Sequence, residues 1–236
     1  MVYSLITFEQ TKSPISEAYR ALRTNVQFTS VDSNTQIIAV TSSGPGEGKS
    51  HTVANLAVSI AQSGKSVLII DADLRNPTQH KLFGVDNRVG LSVYLVEDQD
   101  YRKPVWDTAV PSVRLLPAGP IPPNPAELVG SNRMKGLIEE VSGEFDMVLI
   151  DTPPVIAVTD ALILAQEVDG VILVLASGEV DKGYAQKAKG LLDQLEIKIL
   201  GAVLNKVEMD TNEYYYYNYY NSLEDRKKKG NKMSDL

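Results

Sequence analysis

Residues 37–50 read IIAVTSSGPGEGKS, and they decide the fold. Ile37 to Thr41 is a short apolar run of the kind that forms a buried strand. A glycine-rich turn follows, and then Val53, Leu56, Ala57 and Ile60 recur at helical spacing until Gly64 stops the helix. A strand, a glycine-rich loop and a helix are the context required by the phosphate-binding pattern GxxxxGK[ST]. SGPGEGKS at 43–50 matches that pattern except that Ser43 replaces the first glycine. Gly44, Gly46 and Gly48 allow tight backbone turns. The segment Gly44, Pro45, Gly46, Glu47, Gly48, Lys49, Ser50 and His51 can therefore aim N–H groups at phosphate oxygens beside the positive end of a helix. In this order Lys49 neutralises β- and γ-phosphates, and the Ser50 hydroxyl binds Mg²⁺.

Working outward, LIIDADLR at 68–75 is a second buried strand ending at Asp71, with Asp73 just beyond. MVLIDTPP at 147–154 is another, ending at Asp151. An acid after an apolar strand is more often a helix cap or a solvated turn. Three acids together with the phosphate loop fit one phosphoryl-transfer site, with Asp151 placed as the Walker B carboxylate that holds Mg²⁺ directly or through water. Further strands are expected at Leu115–Leu116, Val171–Leu175 and Ile199–Leu204, with helices near 132–142, 159–166 and 182–195. Continuous apolar strands alternating with helices predict an α/β fold, a mostly parallel sheet flanked by helices. Before the first strand, residues 1–15 read as irregular. Ser16 reads as the cap of a helix to Thr29 with an apolar stripe through Ala18, Leu22 and Val26. Pro117–Pro125 reads as an ordered loop.

Composition sets the outer bounds. A chain of 236 residues with 43% hydrophobic and 22% charged residues suits one domain with a substantial core. Its net charge of −7 argues against a dedicated nucleic-acid binder. There is no cysteine, which excludes disulfides and thiolate sites, and His51 and His80 cannot alone build a zinc site. The start, MVYSLITFEQTKSP, lacks the pattern of a signal peptide, and no stretch approaches ~20 apolar residues, so a soluble chain is expected. From Glu208 the periodicity disappears, giving a domain over 1–207 and a tyrosine-rich, finally basic tail over 208–236. Arg226–Lys229 is a short basic block of a kind that usually keeps a tail soluble.

SGPGEGKS, LIIDADLR, MVLIDTPP, EAYRALR at 17–23 and YYYYNYY at 214–220 together resemble the bacterial protein tyrosine kinases, in particular the cytoplasmic kinases of Gram-positive capsule and exopolysaccharide systems. The first three motifs are shared with partitioning and cell-division ATPases; the last two point to the kinases. Partitioning ATPases carry a signature lysine five residues before the invariant one, where this chain has Gly44. The resemblance implies that Lys49 and Ser50 serve Mg-ATP, that Asp71 and Asp73 form a second carboxylate motif, and that Asp151 is the Walker B acid. Asp71 is the leading candidate for accepting or orienting the tyrosine hydroxyl proton, with Asp73 helping to hold Mg²⁺. Asn205 resembles a position that can contact the nucleotide base, although a turn-forming asparagine reads the same way.

For the rest of the chain, the resemblance implies autophosphorylation at Tyr214, Tyr215, Tyr216, Tyr217, Tyr219 and Tyr220. It also implies oligomer contacts, in a subunit ring, through Glu17, Arg20 and Arg23. A solvated helix face is the competing reading of those three charges. The implied partners are the cytoplasmic end of a membrane protein controlling polysaccharide chain length, which recruits the kinase to the inner face of the membrane, polysaccharide-precursor enzymes as substrates, and a cognate tyrosine phosphatase. The alternative function is an ATPase switch of the partitioning or cell-division type that phosphorylates no protein.

Overall fold

The computed structural model describes residues 5–29, 35–97 and 99–208. The strands are β1 (Ile37–Ser42), β2 (Val67–Asp71), β3 (Trp106–Asp107), β4 (Val113–Leu116), β5 (Met147–Asp151), β6 (Gly170–Ala176) and β7 (Ile199–Asn205). They form one sheet in the order β3-β4-β2-β5-β1-β6-β7. Every pairing is parallel except β3 against β4. Every residue of β1, β2 and β5 is buried, as expected for central strands covered on both faces. Alternate residues serve opposite layers. Ile38, Val40, Val67, Ile69 and Leu149 pack against the helix α3 (Lys49–Ala61). Leu68, Ile70, Val148 and Ile150 face α7 (Asn132–Ser142), while Ala39, Val171 and Leu173 face α9 (Lys182–Gln194).

The expected α/β architecture and its principal helices are therefore present, with α8 spanning Asp160–Ala165. The N-terminal region differs from the sequence reading. Residues 6–9 form a short helix α1 (Ile6–Glu9), and α2 begins at Pro14 and runs to Thr29. The capping oxygen belongs to Ser13, whose Oγ accepts from the Ser16 N–H at 3.1 Å. Proline in the first turn lacks an N–H that would otherwise need a partner. The Ser16 hydroxyl instead donates to the Gln10 carbonyl at 2.7 Å. Ala18 is exposed, and the inward stripe of α2 is Tyr19, Leu22 and Val26. The short helices α4 (Gln79–Phe83), α5 (Leu91–Val96) and α6 (Pro125–Val129) and the strand β3 were not expected. Segments under two turns repeat too few positions to show a period.

Pro117–Pro125 behaves as an ordered loop until Pro125 opens α6. The Leu91 and Ser92 N–H groups donate to the Pro117 and Ala118 carbonyls at 2.7 and 2.8 Å. Gly90 makes this approach possible, because a Cβ there would lie 2.2 Å from the Pro117 oxygen.

The N-terminal helix is fastened to α3 by polar contacts in a buried setting. Asn55 Oδ1 accepts from the Thr7 N–H at 3.1 Å and from the Thr7 hydroxyl at 2.8 Å, and Gln62 Nε2 donates to the Thr7 carbonyl at 2.9 Å. Asn55→Leu removes the acceptor of the buried Thr7 N–H and leaves the Thr7 hydroxyl only its longer contact to the Asn55 backbone carbonyl at 3.4 Å, at a cost of about 1–3 kcal/mol. The expected result is a Tm lowered by roughly 3–10 °C with earlier proteolysis near residues 5–10. An unchanged Tm would show that α1 adds nothing to the fold.

Candidate active site

Parallel register places Asp71, the last residue of β2, beside Asp151, the last residue of β5. On the other side of β5, β1 ends at Ser42 and runs into the glycine-rich loop. All three chains thus deliver polar groups to the carboxyl edge of the sheet, where open α/β sheets bind ligands. Gly48 immediately precedes α3 with φ of 89°. That left-handed φ calls for glycine, and a Cβ there would also press on the Asn205 amide, 2.0 Å from Nδ2. The Asn205 amide donates to the Glu47 carbonyl at 2.9 Å, bringing the end of β7 against the loop.

Ser43, the departure from the phosphate-loop pattern, has a specific use. Its hydroxyl donates to Glu47 Oε1 at 2.6 Å, and that oxygen also accepts the Gly44 N–H. Glu47 Oε2 accepts from the Ala176 N–H at 3.2 Å at the end of β6. The Glu47 side chain therefore braces the loop from within, and Ser43 does not adopt the positive φ that would call for glycine.

Lys49 is the centre of the site. Its Nζ lies 2.9 Å from Asp73 Oδ2, 3.2 Å from Asp151 Oδ1 and 3.3 Å from Ser50 Oγ. Burial disfavours the charged ammonium, but Asp151 and Asp73 outweigh that penalty and raise its pKa. Asp71 is fully enclosed. Its Oδ2 accepts from the Thr78 and Gln79 N–H groups at 3.0 and 2.9 Å, while its Oδ1 has no partner. Burial first, and the Asp151 charge second, push the Asp71 carboxyl well above the usual carboxylate range, against the opposing pull of the Gln79 N–H and Lys49.

A cavity of about 400 Å³ opens over these groups. Pro45, Gly46, Gly48, Lys49, Ser50 and His51 line one side. Asp73 and Arg75 line the other, with apolar cover from Pro153, Pro154, Ala157 and Val158. Arg75 is held by a bidentate pair to the buried Asp160, at 2.9 and 3.1 Å, and this hydrogen-bonded contact raises the guanidinium pKa further. Sequence reasoning missed Arg75, Asp160 and the apolar wall, although Arg75 stands inside the quoted LIIDADLR. It also missed Gln79, which lies in a helix too short to carry a pattern.

Among the described residues no three acid or histidine side chains already converge as a metal cage. Magnesium does not need one, since it commonly uses one or two carboxylates together with phosphate oxygens and water. Ser50 Oγ, Asp73 and Asp151 surround one cation, the Lys49 ammonium, and supply only hard oxygen donors. With the unpartnered Asp71 oxygen and the N-terminal end of α3, the donor set suits a nucleotide phosphate with Mg²⁺.

The other predicted residues lie apart. Glu17 and Arg20 pair with each other on the surface of α2. Arg23 donates to the Ser59 carbonyl of α3 at 2.6 Å, so part of its hydrogen bonding is within the chain. The tyrosines from 214 to 220 lie outside the described residues.

The Asp71 shift sets a sign for stability. A carboxyl that binds its proton more tightly folded than unfolded costs stability at neutral pH, and the cost disappears as pH falls through the folded value towards the ordinary one near about 4. In metal-free buffer, Asp71→Asn is expected to raise Tm at pH 7 by an amount that shrinks as the pH is lowered, read by scanning calorimetry. A lower Tm at pH 7, or a difference independent of pH, would contradict this electrostatic account.

The family described as ParA, NUBPL iron-transfer P-loop NTPase, matches residues 33–229. Cysteine, the main ligand of iron–sulfur clusters, is absent from this chain, and the likeness is to the P-loop framework. Tyrosine-protein kinase YwqD of Bacillus subtilis (strain 168) is 46% identical over 218 residues, covering 92% of each chain. Tyrosine-protein kinase CpsD of Streptococcus agalactiae is 39% identical over 214 residues, 90% of this chain and 92% of that one. The crystal structure of the chimerical protein CapA2B2 superposes with a TM-score of 0.84 at 42% identity, over 87% of this chain and 90% of that one. With a phosphate loop, acids at and just beyond two strand ends, and similarity to named tyrosine kinases over 90–92% of its length, the chain belongs to the bacterial tyrosine-protein kinases, built on the ParA-type P-loop fold.

Proposed function

We propose that this chain uses Mg-ATP to phosphorylate tyrosines in its own 214–220 cluster and in partner proteins of surface-polysaccharide synthesis or export. The observation that carries the reading is the Lys49 ammonium set between Asp73 and Asp151, beside Ser50 and the N-terminal end of α3. A loose phosphoryl-transfer transition state needs positioned cations and N–H donors more than a strong base. When bound, Mg-ATP would supply the transferable phosphoryl group and a divalent charge to offset the negative charge on it.

The chain's own residues then divide the work. The 44–51 backbone cradles phosphates, Lys49 turns from the acids to the phosphates, and Ser50, Asp73 and Asp151 hold the metal. Asp71, with its raised affinity for a proton, receives the proton that the tyrosine hydroxyl gives up. Asn205, already at the loop, contacts the nucleotide base, and Arg75 at the cavity wall meets negative charge on the incoming substrate.

The tail begins where the domain ends, near residue 208. A fully extended chain gains about 3.3–3.6 Å per residue, which carries Tyr214–Tyr220 roughly 30–50 Å from Asn205. A neighbouring subunit in a ring assembled through Glu17, Arg20 and Arg23 is within that reach. Each phosphate adds about 1.5–2 negative charges, so several on one tail repel one another and can loosen the assembly, which a cognate phosphatase would reverse. Among the described residues no helix is long and apolar enough to cross a membrane. Recruitment to the membrane face by the cytoplasmic end of a chain-length protein supplies the activator.

Phosphotyrosine mass spectrometry after incubation with Mg-ATP and an activator segment tests the reading. Phosphate on Tyr214–Tyr220 is expected in the intact chain and is expected to fall to background in Lys49→Met. Hydrolysis of ATP without any tyrosine phosphate would replace the kinase reading with the ATPase switch.

A further inference from the structure

Gln79 sits in α4 with its side chain fully buried, and it touches all three motifs of the site. Its Nε2 donates to Asp151 Oδ2 at 2.7 Å and to the Ser50 carbonyl at 3.0 Å. Its backbone N–H donates to Asp71 Oδ2 at 2.9 Å. Both amide hydrogens are thus committed, one to the β5 acid and one to the first turn of α3. Asp151 is left with Oδ1 facing Lys49 and Oδ2 tied to Gln79. A carboxylate fixed at one oxygen presents the other in a single direction, which is what an octahedral cation with tight distances demands of a ligand. Hydrogen-bond partners behind a metal ligand commonly set its orientation and basicity.

We propose that Gln79 is a positioning residue for the divalent cation: it orients Asp151 and fixes its separation from Ser50, without itself contacting metal or substrate. A charged donor in this place, such as lysine, would compete with the metal for Asp151, whereas a neutral amide orients the carboxylate and leaves its charge available. Glutamine also leaves Oε1 unpartnered in this buried setting, so an amide at this position is not explained by complete internal satisfaction, which an apolar side chain could match more cheaply. The inference rests on the Mg-ATP reading above.

The test measures Mn²⁺ binding by electron paramagnetic resonance in the presence of saturating ADP, and ADP binding without metal by calorimetry, on the full chain. Gln79→Met keeps the length of the side chain and removes both donors. The expected result is Mn²⁺ binding weakened about 10- to 100-fold with metal-free ADP binding nearly unchanged. Gln79→Leu repeats the comparison where the methionine variant does not fold. Unchanged Mn²⁺ affinity overturns the proposal, and so does an equal loss of both affinities, which would mark Gln79 as general structural support. Absence of Mn²⁺ binding by the unsubstituted chain with ADP would overturn the Mg-ATP reading itself and this inference with it.

Discussion

A buried lysine held between two carboxylates organises this protein. Lys49 stands on the first turn of α3, Asp151 at the end of β5 and Asp73 just beyond β2, so their contact at 2.9 and 3.2 Å requires three segments to arrive together. Removing such charges from water is costly, and removal of one member of a buried pair is more damaging than the net worth of the pair. The hydrophobic layers on both faces of the sheet supply the stability that lets this polar edge exist. β1, β2 and β5, fully buried and in parallel register, leave their carboxyl ends no freedom to separate.

The same interaction balances charge at the carboxyl edge of the sheet. Three acids within one enclosed corner would repel one another, and burial, with the Asp151 charge adding to it, raises the proton affinity of Asp71. The Lys49 ammonium balances the other two. A nucleotide with its metal offers Lys49 phosphate oxygens and offers the acids a divalent cation, exchanging one set of charge contacts for another in the same volume. Sites of this kind need little rearrangement of backbone, and here the loop is braced by Glu47, Ser43 and Asn205.

Much of this was legible in the sequence because the decisive features are long or rigidly spaced. IIAV, VLII and MVLI are continuous apolar runs that can only be buried strands in such a context, and the glycines before Lys49 dictate the loop. The acids could be read as strand-end groups for the same reason. What could not be read depends on contacts distant in sequence. Ser13 rather than Ser16 caps α2 because Ser16 turns to the Gln10 carbonyl. Ala18 lies outside the stripe because Tyr19 faces α3. Gln79 gives no local signal, since its importance comes from Asp151, 72 positions away. Asp160 is likewise an ordinary helix-start acid until Arg75 reaches it from 85 positions away.

The geometry makes a claim narrower than the family does, that the Lys49 ammonium paired with Asp73 and Asp151 is the group that turns to a nucleotide's phosphates. A crystal structure with Mg²⁺ and a non-hydrolysable ATP analogue tests it most directly. The account predicts Lys49 Nζ hydrogen-bonded to phosphate oxygens, with the metal on Ser50 Oγ and near Asp73 and Asp151. Nucleotide and metal bound with Lys49 still paired to Asp73 and Asp151 would contradict it.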